Sequence, residues 1–162
     1  MQGQPNAIAW DLGGVDATFS GNEWITLNGS LIWDLQNRNE YIGGGVYIPT
    51  ERGIYLCDPC FKFRDLLNVT KIEVGLFKGE DLYFIVTSRE NIESGQTEAS
   101  ARGCVSVDLL EGDEVTFRVR LSGTSPSATL YAGSDTETEE DDLNDFTAWG
   151  VLIYTLWTKM LK

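Results

Sequence analysis

Six carboxylates stand between Glu137 and Asp145, with Asp135 just ahead of them, and the apolar run from Trp149 to Trp157 follows almost at once. Crowded carboxylates can do two kinds of chemistry. Calcium takes six to eight oxygens from a chain that can curl around it. Here Asp135, Asp141, Asp142 and Asp145 are the candidate ligands, with Glu137 and Asn144 beside them. The Asp-x-Asp-x-Asp-Gly spacing of a calcium loop is missing, and charge runs are more often plainly solvated, so a hydrated loop outweighs the metal site. A glycosidase also needs two carboxylates, held at a set separation across a cleft, and nothing in the run fixes such a pair.

The thiols offer less. Cys57-Asp58-Pro59-Cys60 has the spacing of a redox motif or a zinc half-site, and Cys104 is the third and last cysteine. Zinc would be left one ligand short, and a redox pair belongs at a helix start, whereas this one lies in an alternating segment. Structural free thiols are the simpler reading. Histidine is absent, which removes Ser-His-Asp and Cys-His catalysis and most zinc-enzyme ligand sets. The expectation is a protein that is not an enzyme and needs no cofactor, calcium being the one cation weighed.

A chain of 162 residues supports one domain with a real core. Its net charge of −13 repels phosphate backbones, and no concentrated basic patch offsets it, so nucleic acid is an unsuitable partner. No apolar stretch approaches bilayer-spanning length, so membrane insertion is not expected. The amino terminus has neither the basic start nor the apolar segment of a secretory signal. The sequons at Asn28 and Asn68 would matter only in a eukaryotic secretory route.

The elements that must position these residues read as strands. Glu23 to Leu27, Asn28-Gly29, then Ser30 to Leu35 has the pattern of a hairpin on a two-residue type I′ turn. Further strand patterns run over 41–48, 53–63, 69–77, 82–86, 105–109, 115–121 and 149–157, with turn chemistry between them. Ser88 to Ser100 reads as a loop. Pro59, lacking an amide donor, should fall at a bulge or an edge. Trp10, Trp24 and Trp33 are explained by core packing. The pattern is one all-β domain, a sandwich or barrel.

Four stretches in order then resemble the tumour necrosis factor / complement C1q superfamily. They are Gly45-Val46-Tyr47-Ile48-Pro49 leading into Gly53-Ile54-Tyr55; Leu76-Phe77-Lys78-Gly79; Val107 to Val119 with its central Gly112-Asp113; and Phe146 to Tyr154. The resemblance implies a ten-stranded jelly-roll β-sandwich, over residues 31–157, that assembles as a compact homotrimer. Residues 1–30 would form an arm and the first strand, and 158–162 a short tail.

The closing run does not alternate, so both of its faces need cover. A neighbouring subunit is favoured over a loop of the same chain as the second cover. Tyr55, Phe117, Trp149, Val151, Ile153 and Tyr154 are the candidate interface residues. The functional expectation is a non-catalytic structural or binding trimer at a virion surface: a capsid decoration protein, head fibre or receptor-binding tip, as in bacteriophages. Such a protein is assembled in the host cytoplasm, where free thiols are expected. Its partners would be itself and capsid or fibre proteins, or a cell-surface receptor or glycan. The alternative is an extracellular C1q/TNF-like module of a secreted protein that binds a ligand or receptor.

Overall fold

A computed structural model describes residues 6–11, 17–36, 38–130 and 149–158. Fourteen strands and no helix lie among them. They are β1 (Ala7–Asp11), β2 (Ala17–Ser20), β3 (Ile25–Thr26), β4 (Ser30–Asp34), β5 (Tyr41–Gly43), β6 (Val46–Tyr47) and β7 (Gly53–Leu67). After these come β8 (Lys71–Lys78), β9 (Asp81–Arg89), β10 (Ala99–Arg102), β11 (Val105–Leu109), β12 (Val115–Ser122), β13 (Ser127–Leu130) and β14 (Trp149–Thr158). Two antiparallel sheets form. The eight-stranded one runs β2-β13-β7-β14-β1-β4 with β10 and β11 also on β7; the six-stranded one runs β5-β6-β12-β8-β9 with β3 on β12.

β7 organises the larger sheet because its side chains alternate for eleven residues. Tyr55, Cys57, Phe61 and Phe63 point inward with essentially no exposure, while Ile54, Leu56, Asp58 and Cys60 are half-buried on the other face. A fully buried side chain of this size is worth roughly 1.5–3 kcal/mol. β12 answers from the facing sheet with Val115, Phe117, Val119 and Leu121, all buried. Trp10 of β1 lies at their junction, stacked on Tyr41 at 4.7 Å between ring centroids and tilted against Phe117 at 6.2 Å.

Pro59 sits neither at an edge nor at a bulge. It is inside β7, opposite Val151 of β14, and its carbonyl accepts from Gly103 N at 3.2 Å. The missing amide proton therefore faces the β10–β11 side. That explains why the pairs Cys60↔Arg102 and Cys57↔Val105 keep one register while the ladder breaks between them. β10 and β11 are one strand interrupted by a proline opposite, which is one reason the segments outnumber the ten strands of the jelly roll.

The Asn28-Gly29 hairpin does not form. β3 pairs with β12 in the smaller sheet and β4 with β1 in the larger, so the chain crosses between layers at this point. Neither Asn28 nor Gly29 takes the positive φ that a type I′ turn requires. Leu27 explains the crossing: it is buried, and its amide donates to Phe117 O at 2.8 Å, which commits the chain to the core before the turn. The first 30 residues are thus woven into both sheets where they are described, with β1 between β14 and β4.

One polar knot fastens this region. Glu40 is 1% exposed, and its carboxylate accepts from Asn6 Nδ2 at 3.0 Å, Tyr47 OH at 3.2 Å, Thr50 N at 2.7 Å and Thr50 Oγ1 at 2.9 Å. Asn6 Nδ2 also donates to Asp34 Oδ1 at 3.0 Å, and Asn6 Oδ1 accepts from Gln36 N at 2.8 Å. Four donors offset the desolvation of the buried charge. Glu40→Gln should cost about 2–4 kcal/mol in denaturant unfolding, because its new NH2 group would face an obligate donor whichever way it turned, Asn6 Nδ2 on one side or Thr50 N on the other.

Burial, reinforced by the Glu40 charge, pushes the phenols of Tyr47 and Tyr55 well above the ordinary value. The native state therefore keeps protons that the unfolded chain releases above pH ~10. Stability should be intact below that pH and fall above it by about 1.4 kcal/mol per pH unit for each of the two. Alkaline unfolding should coincide with a cooperative rise in tyrosinate absorbance; gradual ionisation of a folded protein would contradict this.

Candidate functional site

The broad outer face of the smaller sheet is sealed by its own chain. On β8, every residue from Ile72 to Phe77 is buried, including Glu73 and Phe77 on the outer side. Trp24 packs edge-on to Phe77 at 5.1 Å. Arg120 lies 4.4 Å over the Trp24 ring and pairs with Glu73 at 2.9 Å. Arg118 lies 4.4 Å over Phe77, donates to Gly79 O at 2.9 Å and reaches Glu80 at 3.2 Å. Cation–π contacts of this kind are worth ~0.5–2 kcal/mol each. This rack covers apolar surface and leaves little of it to a partner.

The lateral edges are different. Among the described residues β9 pairs with β8 alone in its sheet, and it exposes Leu82 at 43%, Tyr83 at 46% and Ile85 at 37%. Gly75 permits this arrangement, since a Cβ there would stand 2.8 Å from Leu82 Cδ1 and 3.1 Å from Trp24. Lys78 Nζ lies 4.0 Å over the Tyr83 ring and pairs with Asp113 at 3.4 Å, which fixes the ring at the strand's start. On the opposite side of the sandwich, around β4 and β5, Leu31, Leu35 and Ile42 are also exposed. The molecule thus carries two unlike apolar edges, and a long exposed apolar edge strand is a surface that proteins normally cover.

The six candidate interface residues divide into two groups. Tyr55, Phe117 and Ile153 have between 0% and 1% exposure and sit between the sheets, Tyr55 OH donating to Glu51 O at 2.6 Å. A side chain already covered by its own chain has no surface to give a neighbour, so these three build the core. Trp149, Val151 and Tyr154 belong to β14 through backbone pairs with Phe61, Pro59 and Leu56 of β7, and their side chains lie outside the described residues. Sequence reasoning missed Leu82, Tyr83, Ile85, Leu35 and Ile42. Apolar residues in a strand pattern read as core, and their exposure follows from which strands end up at an edge.

Asp135, Asp141, Asp142 and Asp145 also lie outside the described residues. Among the described residues no three Cys, Asp or Glu side chains converge as metal ligands. None of the three cysteines is in a disulfide: Cys57 is buried, with its thiol pushed up by that burial, Cys60 is half-buried and Cys104 exposed. Cys104 stands opposite Asp58, whose carboxylate pairs with Arg102 at 3.3 Å.

No family model matches the sequence, and no curated protein does. Solved structures do. Murine APRIL, crystallised at pH 8.0, superposes with a TM-score of 0.59 at 12% identity, covering 94% of this chain and all of that one. The globular domain of zebrafish complement 1qA superposes at 0.53 and 10% identity, covering 96% and 98%. At such identities the likeness concerns the fold. The architecture is a TNF/C1q-like jelly roll, as the four sequence stretches imply.

A thiol-specific reagent should modify Cys104 first, Cys60 more slowly, and Cys57 only on global unfolding; peptide mapping of a time course reads the order. Early labelling of Cys57 would contradict its place in the core.

Proposed function

We propose that this chain is a non-catalytic, homotrimeric jelly-roll protein that presents its loops to a partner at a surface. The observation that carries the reading is the pair of unlike apolar edges. A patch that met its own copy would give a two-fold dimer. Two different patches on opposite sides meet head to tail, and such contacts form a ring where the rotation between subunits closes and a filament where it does not. Leu82, Tyr83 and Ile85 of one subunit would meet the Leu31, Leu35 and Ile42 side of the next. The TNF/C1q-like fold supports three as the number that closes the ring. Trp149, Val151 and Tyr154 remain interface candidates.

Within that reading we favour a virion surface component, such as a capsid decoration protein, head fibre or receptor-binding tip. The three free thiols suit assembly in reducing cytoplasm, and the strong negative charge would keep a dense array from aggregating. One observation favours the alternative, a secreted ligand- or receptor-binding module: both sequon asparagines, Asn28 and Asn68, are exposed. Glycans on those residues in protein isolated from its source would select the alternative, and bare asparagines the virion.

Solution mass should be three times 18.0 kDa and unchanged by chelator. Leu82→Asp and Ile42→Asp should each give monomers. Mixing the two variants should restore a dimer, because each retains the edge the other lost. A monomeric wild type, or a mixture that stays monomeric, would refute the head-to-tail ring.

A further inference from the structure

At one end of the sandwich, the β7–β8 turn, the β9–β10 loop and Thr124 enclose an open cleft of about 470 Å³. That is within the roughly 300–1,000 Å³ of small-molecule sites. Its walls combine two chemistries. Leu66, Leu67, Val69 and Ile92 supply apolar surface, Leu67 being 58% exposed. Thr70, Ser94, Gln96, Thr97, Thr124 and Asn68 supply hydroxyls and amides, and among the described residues Glu93 is the one charged group and no cation lines the cleft.

The walls are held in place. Leu66 N donates to Thr97 O and Ile92 N to Thr70 O, each at 3.1 Å, and Thr70 N to Ser122 O at 2.8 Å. Four of the five described non-glycine residues with positive φ stand at this end: Asp65 (55°), Asn68 (56°), Asn91 (56°) and Ser125 (46°). Gly123 joins them at 147°, and any Cβ there would collide with the Asn68 carbonyl oxygen. Left-handed backbone of this kind costs about 1–3 kcal/mol per residue and persists only where the surroundings over-determine it.

From these observations we infer that the cleft is a binding site for a neutral carbohydrate. Among the described residues an anion would meet Glu93 with no cation to answer it, and a wholly apolar ligand would leave the hydroxyls of Ser94, Thr97 and Thr124 unused, whereas Thr70 and Gln96 already bond Ser122 O and Glu98 O. A neutral sugar has both an apolar C–H face, for the exposed Leu67, and a rim of hydroxyls that donate and accept, for Ser94, Thr97 and Thr124. The inference rests on the binding-module reading, and it names the partner's chemistry. The cleft is made by one chain, so it should bind one sugar per chain whether or not the trimer forms.

The test is amide-resolved NMR of the full chain titrated with the methyl glycosides of glucose, galactose, mannose and N-acetylglucosamine to about 50 mM, with glucuronate as the charged control. That range exceeds the millimolar Kd expected of an open, shallow cleft. At least one neutral glycoside should give saturable shifts at residues 67–70 and 93–97. Thr124→Val and Leu67→Ala, both at exposed positions, should each weaken binding by about fivefold, the loss of one hydrogen bond or one apolar contact. Leu82→Asp should leave it unchanged, which separates failure of the site from failure of the assembly. No saturable shift with any of the four, a response to glucuronate alone, or unaltered affinity in both cleft variants would overturn the assignment.

Discussion

Everything in the larger sheet depends on β7, which is fifteen residues long, alternates through the first eleven and carries four partners. β14 and β13 follow one another along one side, and β11 and β10 along the other. The constraint is severe because one of those residues, Pro59, cannot donate a ladder hydrogen bond. The sheet tolerates it by turning the missing donor toward the β10–β11 side, where a single broken rung is the whole cost. Had the proline stood one residue earlier or later, the gap would have faced β14 and weakened the strand that joins β7 to the amino-terminal β1.

The same economy shows in how polar groups are handled. Glu40 is taken out of water, yet every donor it needs arrives from a short stretch of chain and from Asn6. Arg118 and Arg120 flatten their guanidinium groups over Phe77 and Trp24 and are in turn held by Glu80 and Glu73. These arrangements use charge to close surface on the smaller sheet. Apolar surface is left open at the two flanks, where hydrogen-bonded pairing ends.

Much of the architecture was readable in the amino-acid pattern. Apolar strand patterns located β7, β8, β9, β11, β12 and β14, with a period of two in β7, β11 and β12, and the Gly112-Asp113 turn marked the β11–β12 corner. What misled was local turn chemistry set against tertiary demand. Asn28-Gly29 has the composition of a tight hairpin, but burial of Leu27 and pairing of β4 with β1 won. Tyr55 and Phe117 were read as intersubunit residues because they belong to the family-like stretches; their inward register on β7 and β12 puts them between the sheets. Leu82 and Ile42 erred the other way. An apolar residue in a strand carries no mark of whether its strand will be central or peripheral, and the buried role of Glu40 was invisible without knowing that Asn6 and Thr50 come together around it.

The place of β14 between β7 and β1 has a consequence for how the chain must come to life. A ribosome makes β1 first and β14 last, so throughout synthesis the middle of the larger sheet is a slot with both walls made and nothing between them. Until that slot is filled, Trp10 has Tyr41 and Phe117 to pack on, but its strand lacks β14 on one side. The nascent domain must wait, half-assembled, for β14 to emerge, and the closing step is an insertion between two strands made far apart in time. Folding of this topology is accordingly governed by long-range pairing, complete only once β14 has been made, and slow for a domain of its length.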